Sequence, residues 1–449
     1  MEKLRSELEE VFAGGTWIIA AQAAVAAGHM KQLLTDWGSE PLVVASNEGT
    51  GDLPPGEIVY TRSGGDSVVG SIREFFASVE HPSPEVMAAV ERFDPGGTAR
   101  VLAEPFATAR TMLGRRTFGV RRDRWSAWED KMRVDRLWDD LDIPHAPYRI
   151  VTPANAAAAA RELASDLGTV WVADNFEGWH GGGEYVKWVA GAGEYEETVA
   201  WFNGRARQVR VMPFLEGLPA SIHGWVTESG VAVFLPVEIL ILRHADRSAF
   251  VYTGVSTLWS APEAATREMR GVALRVGEAL ADRDGYRGPF GIDGVLTDEG
   301  FRPTELNPRM SAGAGAQLGS VDLPLGLLMR CEIEGLVEVD HKWLEDAAIS
   351  QRKPSIHLGK MVSKEIRESM SLRRRPGGGL VEVEDGAEAI GKLVAGPSAT
   401  GSYVVGEFDV EKVGIGKPVG SLAADALNLA SKKWDLGLPE MVAAETPEH

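Results

Sequence analysis

The sequence predicts a chain of mixed α/β and α+β class, opening on a parallel sheet and continuing into antiparallel hairpins. Three observations carry this. Near the N-terminus the apolar runs Thr16–Ala20, Pro41–Ala45 and Ile58–Tyr60 alternate with helical stretches, as strand–helix–strand crossovers do. In the middle, strand-like runs at 208–214, 222–227, 231–239 and 249–255 follow closely on one another. Towards the end, Leu380–Glu384 and Ser402–Phe408 alternate apolar and polar residues, the period of a half-buried strand.

The elements follow in order. An amphipathic helix covers about 1–12, and Gly14-Gly15 reads as a turn before a strand, because the G-x-G-x-x-G spacing of a dinucleotide loop is missing. Pro- and Gly-bearing stretches interrupt the order near 50–65 and 94–98. A helix is expected from Ser126 to Leu141, ended by Ile143-Pro144, then a strand at Tyr148–Val151, an alanine-rich helix at 154–166 and a strand at Val170–Ala173. The glycine-rich stretch Glu177–Glu184 follows. Glu263–Ala281 reads as a long helix, and Thr297–Gly300 as the turn of a hairpin. After about residue 340 the pattern becomes a small α+β module, ending in an amphipathic helix at 422–436 and a frayed tail at 445–449. A length of 449 residues suggests about three domains: 1–125, 126–340 (with a lid at about 150–220) and 341–449.

Charge narrows the function. With 65 acidic against 46 basic residues the net charge is -19, which disfavours nucleic acid as a partner. Against that background Arg115, Arg116, Arg121, Arg122 and Arg124 cluster within ten residues. They serve either to hold a carboxylate or phosphate or to form ion pairs with nearby acids. Cys331 is the single cysteine, so an intrachain disulfide and a multi-cysteine metal site are excluded, and it reads as a buried apolar residue. The N-terminus lacks a long apolar signal core, and no run approaches the ~18 apolar residues of a membrane span. The expectation is a soluble, cytoplasmic protein.

The strongest local signal is Gly291-Ile292-Asp293-Gly294-Val295, then a hairpin, then Pro303-Thr304-Glu305-Leu306-Asn307-Pro308-Arg309. Across an antiparallel pair Asp293 can face Glu305. Glu305, Asn307 and Arg309, spaced by two, project to one side. Magnesium takes hard oxygen ligands, commonly one or two carboxylates completed by phosphate and water. Asp293, Glu305 and Asn307 suit that demand, Glu305 as a bridge between two ions. Arg309 can hold a phosphate or acyl-phosphate oxygen bidentately. The small residues of Ser311–Gly315 would let the backbone approach a bound anion.

At these residues the chain resembles the ATP-grasp superfamily, in which a strand ending Glu-x-Asn-Pro-Arg follows an upstream Asp and binds the magnesium of Mg-ATP. The resemblance covers roughly 115–340. It implies an ATP-grasp fold with an N-terminal Rossmann-like α/β domain, ATP and Mg2+ (two ions) as cofactors, and a homodimer. Asp130-Lys131 resembles the entry helix, with Lys131 matching a phosphate- or adenine-contacting lysine. Gly178–Gly183, with Gly181, Gly182 and Gly183, lies where the family has its phosphate loop. Arg210–Gly217 resembles the hinge that takes adenine, through the backbone of Met212, Pro213, Phe214 and Leu215. Gly319–Pro324 resembles the segment entering the last helix. Two positions depart. The strand lysine is missing from Trp171-Val172-Ala173-Asp174, so Lys187 is the substitute, beside a reading in which Lys131, arginines and magnesium suffice. The usual ribose acids are Met212 and Pro219 here, leaving Glu216.

The resemblance implies attack of a carboxylate on the γ-phosphate, then displacement of phosphate by an amine. That chemistry needs positioning and charge stabilisation but no protein nucleophile, and no Gly-x-Ser-x-Gly elbow offers another route. Arg243, Arg247 and Arg309 are candidates for holding the substrate carboxylate, and His223 for taking the amine proton. Phe214–Gly224 and the C-terminal module look like peptide ligases of the pheganomycin type, found in peptide natural-product biosynthesis. Those join a guanidinylated amino-acid derivative to the amino end of a peptide, which the C-terminal module would hold. The alternatives are a ligase for free amino acids or a non-peptide amine, and a Mg-ATP-binding regulatory protein without turnover.

Overall fold

The computed structural model describes residues 2–444 apart from Ser63, Asp66, Glu177, Trp179, Arg247, Ser248, Asp385 and Ala387. The expectations for Arg247, the 445–449 tail and part of the glycine-rich stretch therefore lie outside the described residues.

Strands apolar on both faces need cover on both sides, and the first sheet has it. Strands β1 (Trp17–Ala23), β2 (Leu42–Asn47), β3 (Ile58–Tyr60), β4 (Arg100–Ala103), β5 (Thr111–Met112) and β6 (Arg115–Thr117) lie in the order β3-β2-β1-β4-β6-β5. All pairs are parallel except β5 with β6. Ile19 and Val43 pack with helices Glu2–Phe12 and Gly28–Asp36 on one side. Ile18 and Val44 pack with helices Val68–Glu80 and Pro84–Phe93 on the other.

The lid is a separate antiparallel sheet, β7 (Arg149–Val151), β8 (Thr169–Ala173), β9 (Val186–Val189) and β10 (Val209–Pro213), ordered β7-β10-β8-β9. Its two faces differ. Trp171, Ala173, Val209 and Val211 meet helices Pro153–Leu163 and Tyr195–Phe202, whereas Val170, Val172 and Met212 form the opposite face with Phe214.

The third sheet contains β11 (Leu218–Val226), β12 (Val231–Val233), β13 (Val237–His244), β14 (Phe250–Ser256), β15 (Gly288–Thr297) and β16 (Gly300–Asn307). It continues through β17 (Ile356–Val362), β18 (Glu368–Arg374), β19 (Leu380–Val383), β20 (Gly391–Ser398), β21 (Gly401–Phe408) and β22 (Met441–Ala443). The order is β16-β15-β11-β13-β14-β17-β21-β20-β18-β19, with β12 on β11 and β22 on β13. The C-terminal segment is therefore joined to the middle of the chain by main-chain pairing, Gly254 opposite Leu358. Leu240 and Val251 share one core with Leu372, Leu393 and Leu427. Pairing β17 onto β14 satisfies backbone groups that an isolated module would leave on an open edge.

Two expected elements are corrected. The helix at 126–141 is broken into Asp123–Ser126, Ala127–Glu129 and Val134–Asp140. Asp130 takes an extended conformation (φ -71, ψ 113) and its Oδ1 accepts from the Met132 amide at 3.0 Å, so Lys131 sits in a turn before the helix. The strand at 231–239 divides around Pro236, which cannot donate to a ladder. Cys331 is buried, as expected.

Candidate active site

A tight hairpin sets the site. β15 and β16 pair Asp293 with Glu305 and Gly291 with Asn307, with an irregularity after Asp293 that places Gly294 opposite Pro303 and leaves Thr304 extra. A bulge there accommodates a proline without a donor and re-aims Glu305. The Thr304 hydroxyl closes it by donating to Asp293 O at 3.2 Å.

The four expected residues come together. Asn307 Nδ2 donates to Asp293 Oδ2 at 3.0 Å, and Arg309 Nη2 donates to Asn307 Oδ1 at 2.7 Å. Lys131 Nζ lies 3.2 Å from Glu305 Oε1. Arg309 also pairs with Glu129 at 3.3 Å and lies 4.5 Å from the Phe106 ring centre. Burial pushes the Asp293 carboxyl up, Glu305 adds to this, and the Ser221 hydroxyl, Arg309 and Lys131 oppose it. Two carboxylates held this close repel, and a divalent cation between them would relieve the repulsion. Among the described residues no set of three or more His, Cys, Asp and Glu forms a metal cage. Two carboxylates and an amide oxygen nevertheless fit magnesium that shares its shell with phosphate.

The arginine cluster is divided among internal partners. Arg115 binds Asp94 at 2.6 Å, Arg116 binds Glu334, and Arg122 lies over Trp125 at 4.9 Å. Arg121 alone reaches the site, pairing with Glu129 and donating to Phe106 O at 2.9 Å. It thereby braces the acid that holds Arg309.

On the lid side the placements diverge from expectation. Lys187 stands opposite Trp171 on β9, and its Nζ lies 4.2 Å from the Trp201 ring centre. Its face of the lid is the helix-covered one. The period-two alternation of the strand therefore points it away from the cleft, and it does not replace the missing strand lysine. The cation on the inner face is Arg210, opposite Val172. It is 2% exposed and donates to Thr304 O at 3.0 Å and Lys131 O at 3.3 Å, with Asp135 3.5 Å away. Sequence reasoning placed Arg210 in the hinge strand and gave it no role. Its signal was an arginine at an inward position of an apolar strand.

Glu216 and Arg243, expected at ribose and at substrate, hold each other in two hydrogen bonds of 3.1 and 2.7 Å. Arg243 also lies 4.9 Å from the Phe214 ring centre, where Trp188, Phe214 and Phe250 stack beside the hinge. Gly182 and Gly183 adopt left-handed backbone conformations (φ +60 and +80) with open space where a Cβ would stand, so the turn demands glycine for conformation. The loop is anchored at both ends. Glu184 accepts from the Ser67 hydroxyl at 2.6 Å, and the His180 ring bonds Ala173 O at 3.1 Å. His180 was not singled out from the sequence. Burial and then the Lys131 charge push its imidazole down to about 4.

His223 is buried, 1% exposed, between Ser221 (3.1 Å) and Gln317 (3.2 Å), and burial pushes it down to about 3. It reaches the cleft only through Ser221 and Asp293, so the expected direct proton transfer from an amine is not available to it. The Ser311–Gly315 run starts a helix capped by Ser311, and a Cβ at Gly313 would lie 2.3 Å from the His223 ring. Those small residues make room for a side chain. Tyr252, in the Val251–Gly254 run that the resemblance puts along the substrate pocket, is 41% exposed; burial, then the Asp293 charge, push its hydroxyl up.

The chain has counterparts among known proteins. A family model described as an ATP-grasp domain matches residues 150–313. The arginine-specific large chain of carbamoyl phosphate synthase from Geobacillus stearothermophilus is 25% identical over 200 residues, 43% of this chain and 17% of that protein. The match thus spans less than a fifth of the curated relative. Among solved structures, biotin carboxylase from Campylobacter jejuni in a β,γ-ATP complex aligns with a TM-score of 0.56 and 10% identity, over 97% of this chain and 94% of that one. The biotin carboxylase domain of Hydrogenobacter thermophilus 2-oxoglutarate carboxylase, complexed with MgADP and bicarbonate, aligns at 0.52 and 10%, over 96% and 91%. At such identities the likeness speaks to fold alone, and the fold is ATP-grasp.

Proposed function

Since the chain contains an ATP-grasp domain, we propose that it is an ADP-forming carboxylate–amine ligase, joining an activated acid to the amine of an amino acid or peptide. The observation that carries this is the meeting of Asp293, Glu305, Asn307, Arg309 and Lys131 at one point of the cleft. Magnesium bound there would supply a Lewis acid for the phosphates. Lys131 and Arg309 stabilise charge on the transferred phosphoryl group and on the acyl-phosphate. The apolar lid face of Val170, Val172 and Met212 covers the base and excludes water. Substrate carboxylate oxygen forms a bond to the γ-phosphorus as ADP leaves; the amine then attacks the acyl carbon and phosphate leaves, its lost proton passing to phosphate or water.

For the acceptor, a crevice of about 420 Å3 opens between the loop at 48–53 and Ala395–Pro397 of the C-terminal segment. Gly396 pairs with Tyr403 on the neighbouring strand. The crevice has the volume of a short peptide segment, in keeping with a peptide amine as the proposed acceptor. Its charged lining is Glu48 and Asp52 with Arg367, which lies 3.7 Å from Glu48.

The test is ADP release with Mg-ATP and a panel of carboxylates and amines, including guanidino acids and short peptides. Release that needs both an acid and an amine is the expected result. The outward turn of Lys187 favours a second reading, a nucleotide-binding regulator. Tight Mg-ATP binding with no substrate-dependent ADP release would establish that instead.

A further inference from the structure

We propose that Leu235, Gln317, His223 and Ser221 form a one-directional hydrogen-bond chain that fixes the Asp293 carboxylate for a divalent cation, with His223 and Gln317 as positioning residues. The inference rests on the reading of the hairpin as a metal–phosphate site.

Direction is imposed from one end. A backbone N–H can only donate, and that of Leu235 donates to Gln317 Oε1 at 3.0 Å. This orients the amide so that Gln317 Nε2 faces His223 Nδ1 at 3.2 Å as donor. With Nδ1 accepting, a neutral ring carries its proton on Nε2 and donates to Ser221 Oγ at 3.1 Å. The hydroxyl has one proton and two acceptors within reach, Ile292 O at 3.2 Å and Asp293 Oδ1 at 2.6 Å. The nearer, charged oxygen takes it. The other carboxylate oxygen is held by Asn307 Nδ2 at 3.0 Å. The chain thus fixes Oδ1 of Asp293, while Oδ2 meets Asn307, the neighbour that with Glu305 would share a cation.

Space for the chain is built from two separate elements. A Cβ at Gly291 of β15 would lie 2.8 Å from His223 Cδ2, and one at Gly313 would lie 2.3 Å from Cε1. Any larger residue at either position would evict the ring. A histidine needed only as filling would not require an oriented glutamine on one nitrogen and a hydroxyl on the other.

Gln317→Glu tests the polarity with almost no change of shape. Ionised glutamate can only accept, so a ring that stays neutral donates from Nδ1, Nε2 takes the Ser221 proton, and Asp293 loses its donor. The measurement is Mn2+ binding to the full chain in the presence of ADP, followed by the EPR signal of free Mn2+. Gln317→Glu and Ser221→Ala are expected to raise the Mn2+ dissociation constant about 10–100-fold, with metal-free ADP binding close to the parent; the buried carboxylate of Gln317→Glu lowers its melting temperature, whereas that of Ser221→Ala stays close to the parent. In turnover, the Mg2+ activation constant should rise while kcat at saturating Mg2+ recovers. Parent-like Mn2+ affinity in a folded Gln317→Glu would overturn the chain; should that variant not fold, parent-like affinity in Ser221→Ala overturns it equally. Asp293→Asn separates the two levels. If it leaves Mn2+ binding intact, the hairpin reading itself fails; if it abolishes binding while Gln317→Glu does not, only the chain fails.

Discussion

The two walls of the cleft solve different problems. On the hairpin wall, Asp293, Glu305, Asn307 and Arg309 lie within a short stretch of chain, Asn307 bonding both Asp293 and Arg309, while Glu305 meets Lys131 and Arg309 meets Glu129. On the lid wall, the inward side chains are Val170, Val172 and Met212, and the one buried cation, Arg210, is consumed by Asp135 and by carbonyls of the opposite wall. The charge proposed to serve phosphate chemistry is concentrated on a two-stranded register. The lid wall contributes an apolar face and glycine backbone. That division explains how the lid can dispense with a lysine on its strand: Lys131, from a turn outside the lid, stands 3.2 Å from Glu305.

The division can be broken from the hairpin side with the largest effect. Glu305→Gln removes an anionic oxygen from the cation's shell and leaves Lys131 without its partner. Turnover should fall on the order of a hundredfold or more with an unchanged circular dichroism spectrum. Near-parent steady-state rates would contradict the site. Next is Arg210→Ala, which strands the buried Asp135. Losing one member of a buried pair costs about 3–5 kcal/mol, so urea unfolding should shift by about that amount. A shift below ~1 kcal/mol would mean that the pair behaves as if exposed.

The walls should also respond oppositely to pH. Burial pushes Glu332, behind β11 and bonded to the Trp225 indole, from 4.5 up to about 8. Its folded state holds a proton that the unfolded chain has lost, so its contribution is complete below 4.5 and declines as pH rises towards 8. His180 on the lid runs the other way. Pushed down from 6.5 to about 4, its contribution is complete above 6.5 and declines as pH falls towards 4. Melting temperatures between pH 4.5 and 8 should lose the alkaline-side decline in Glu332→Gln and the acid-side decline in His180→Asn. Unaltered profiles in both would mean that neither group titrates with folding. The smallest effect belongs to Lys187→Met. A side chain packed on Trp201 should leave the KM for ATP within about twofold, and a tenfold rise would return it to the cleft.

Much of this was legible in advance because it depends on short-range periodicity. The alternation of Glu305, Asn307 and Arg309 puts them on one side of a strand, and the turn at Asp298-Glu299 is close enough to bring Asp293 opposite Glu305. The parallel N-terminal strands and the long helix at 263–284 were equally visible as apolar runs and helical spacing. The helix at 126–141 misled, because good helix-forming composition does not reveal that Asp130 turns the chain so that Lys131 can enter the site.

What the sequence determined by itself was therefore the local spacing of the residues proposed to handle phosphate, set by a two-residue strand period and a tight turn. Only the tertiary structure decided which face of the lid meets the cleft, and with it that Lys187 points out and Arg210 in. It also decided that Glu216 and Arg243 meet, that the C-terminal strands extend the central sheet through β17, and that His223 has room beside Gly291 and Gly313. These outcomes depend on contacts between residues far apart in the chain, where packing and the demand that every buried polar group find a partner outweigh local preference.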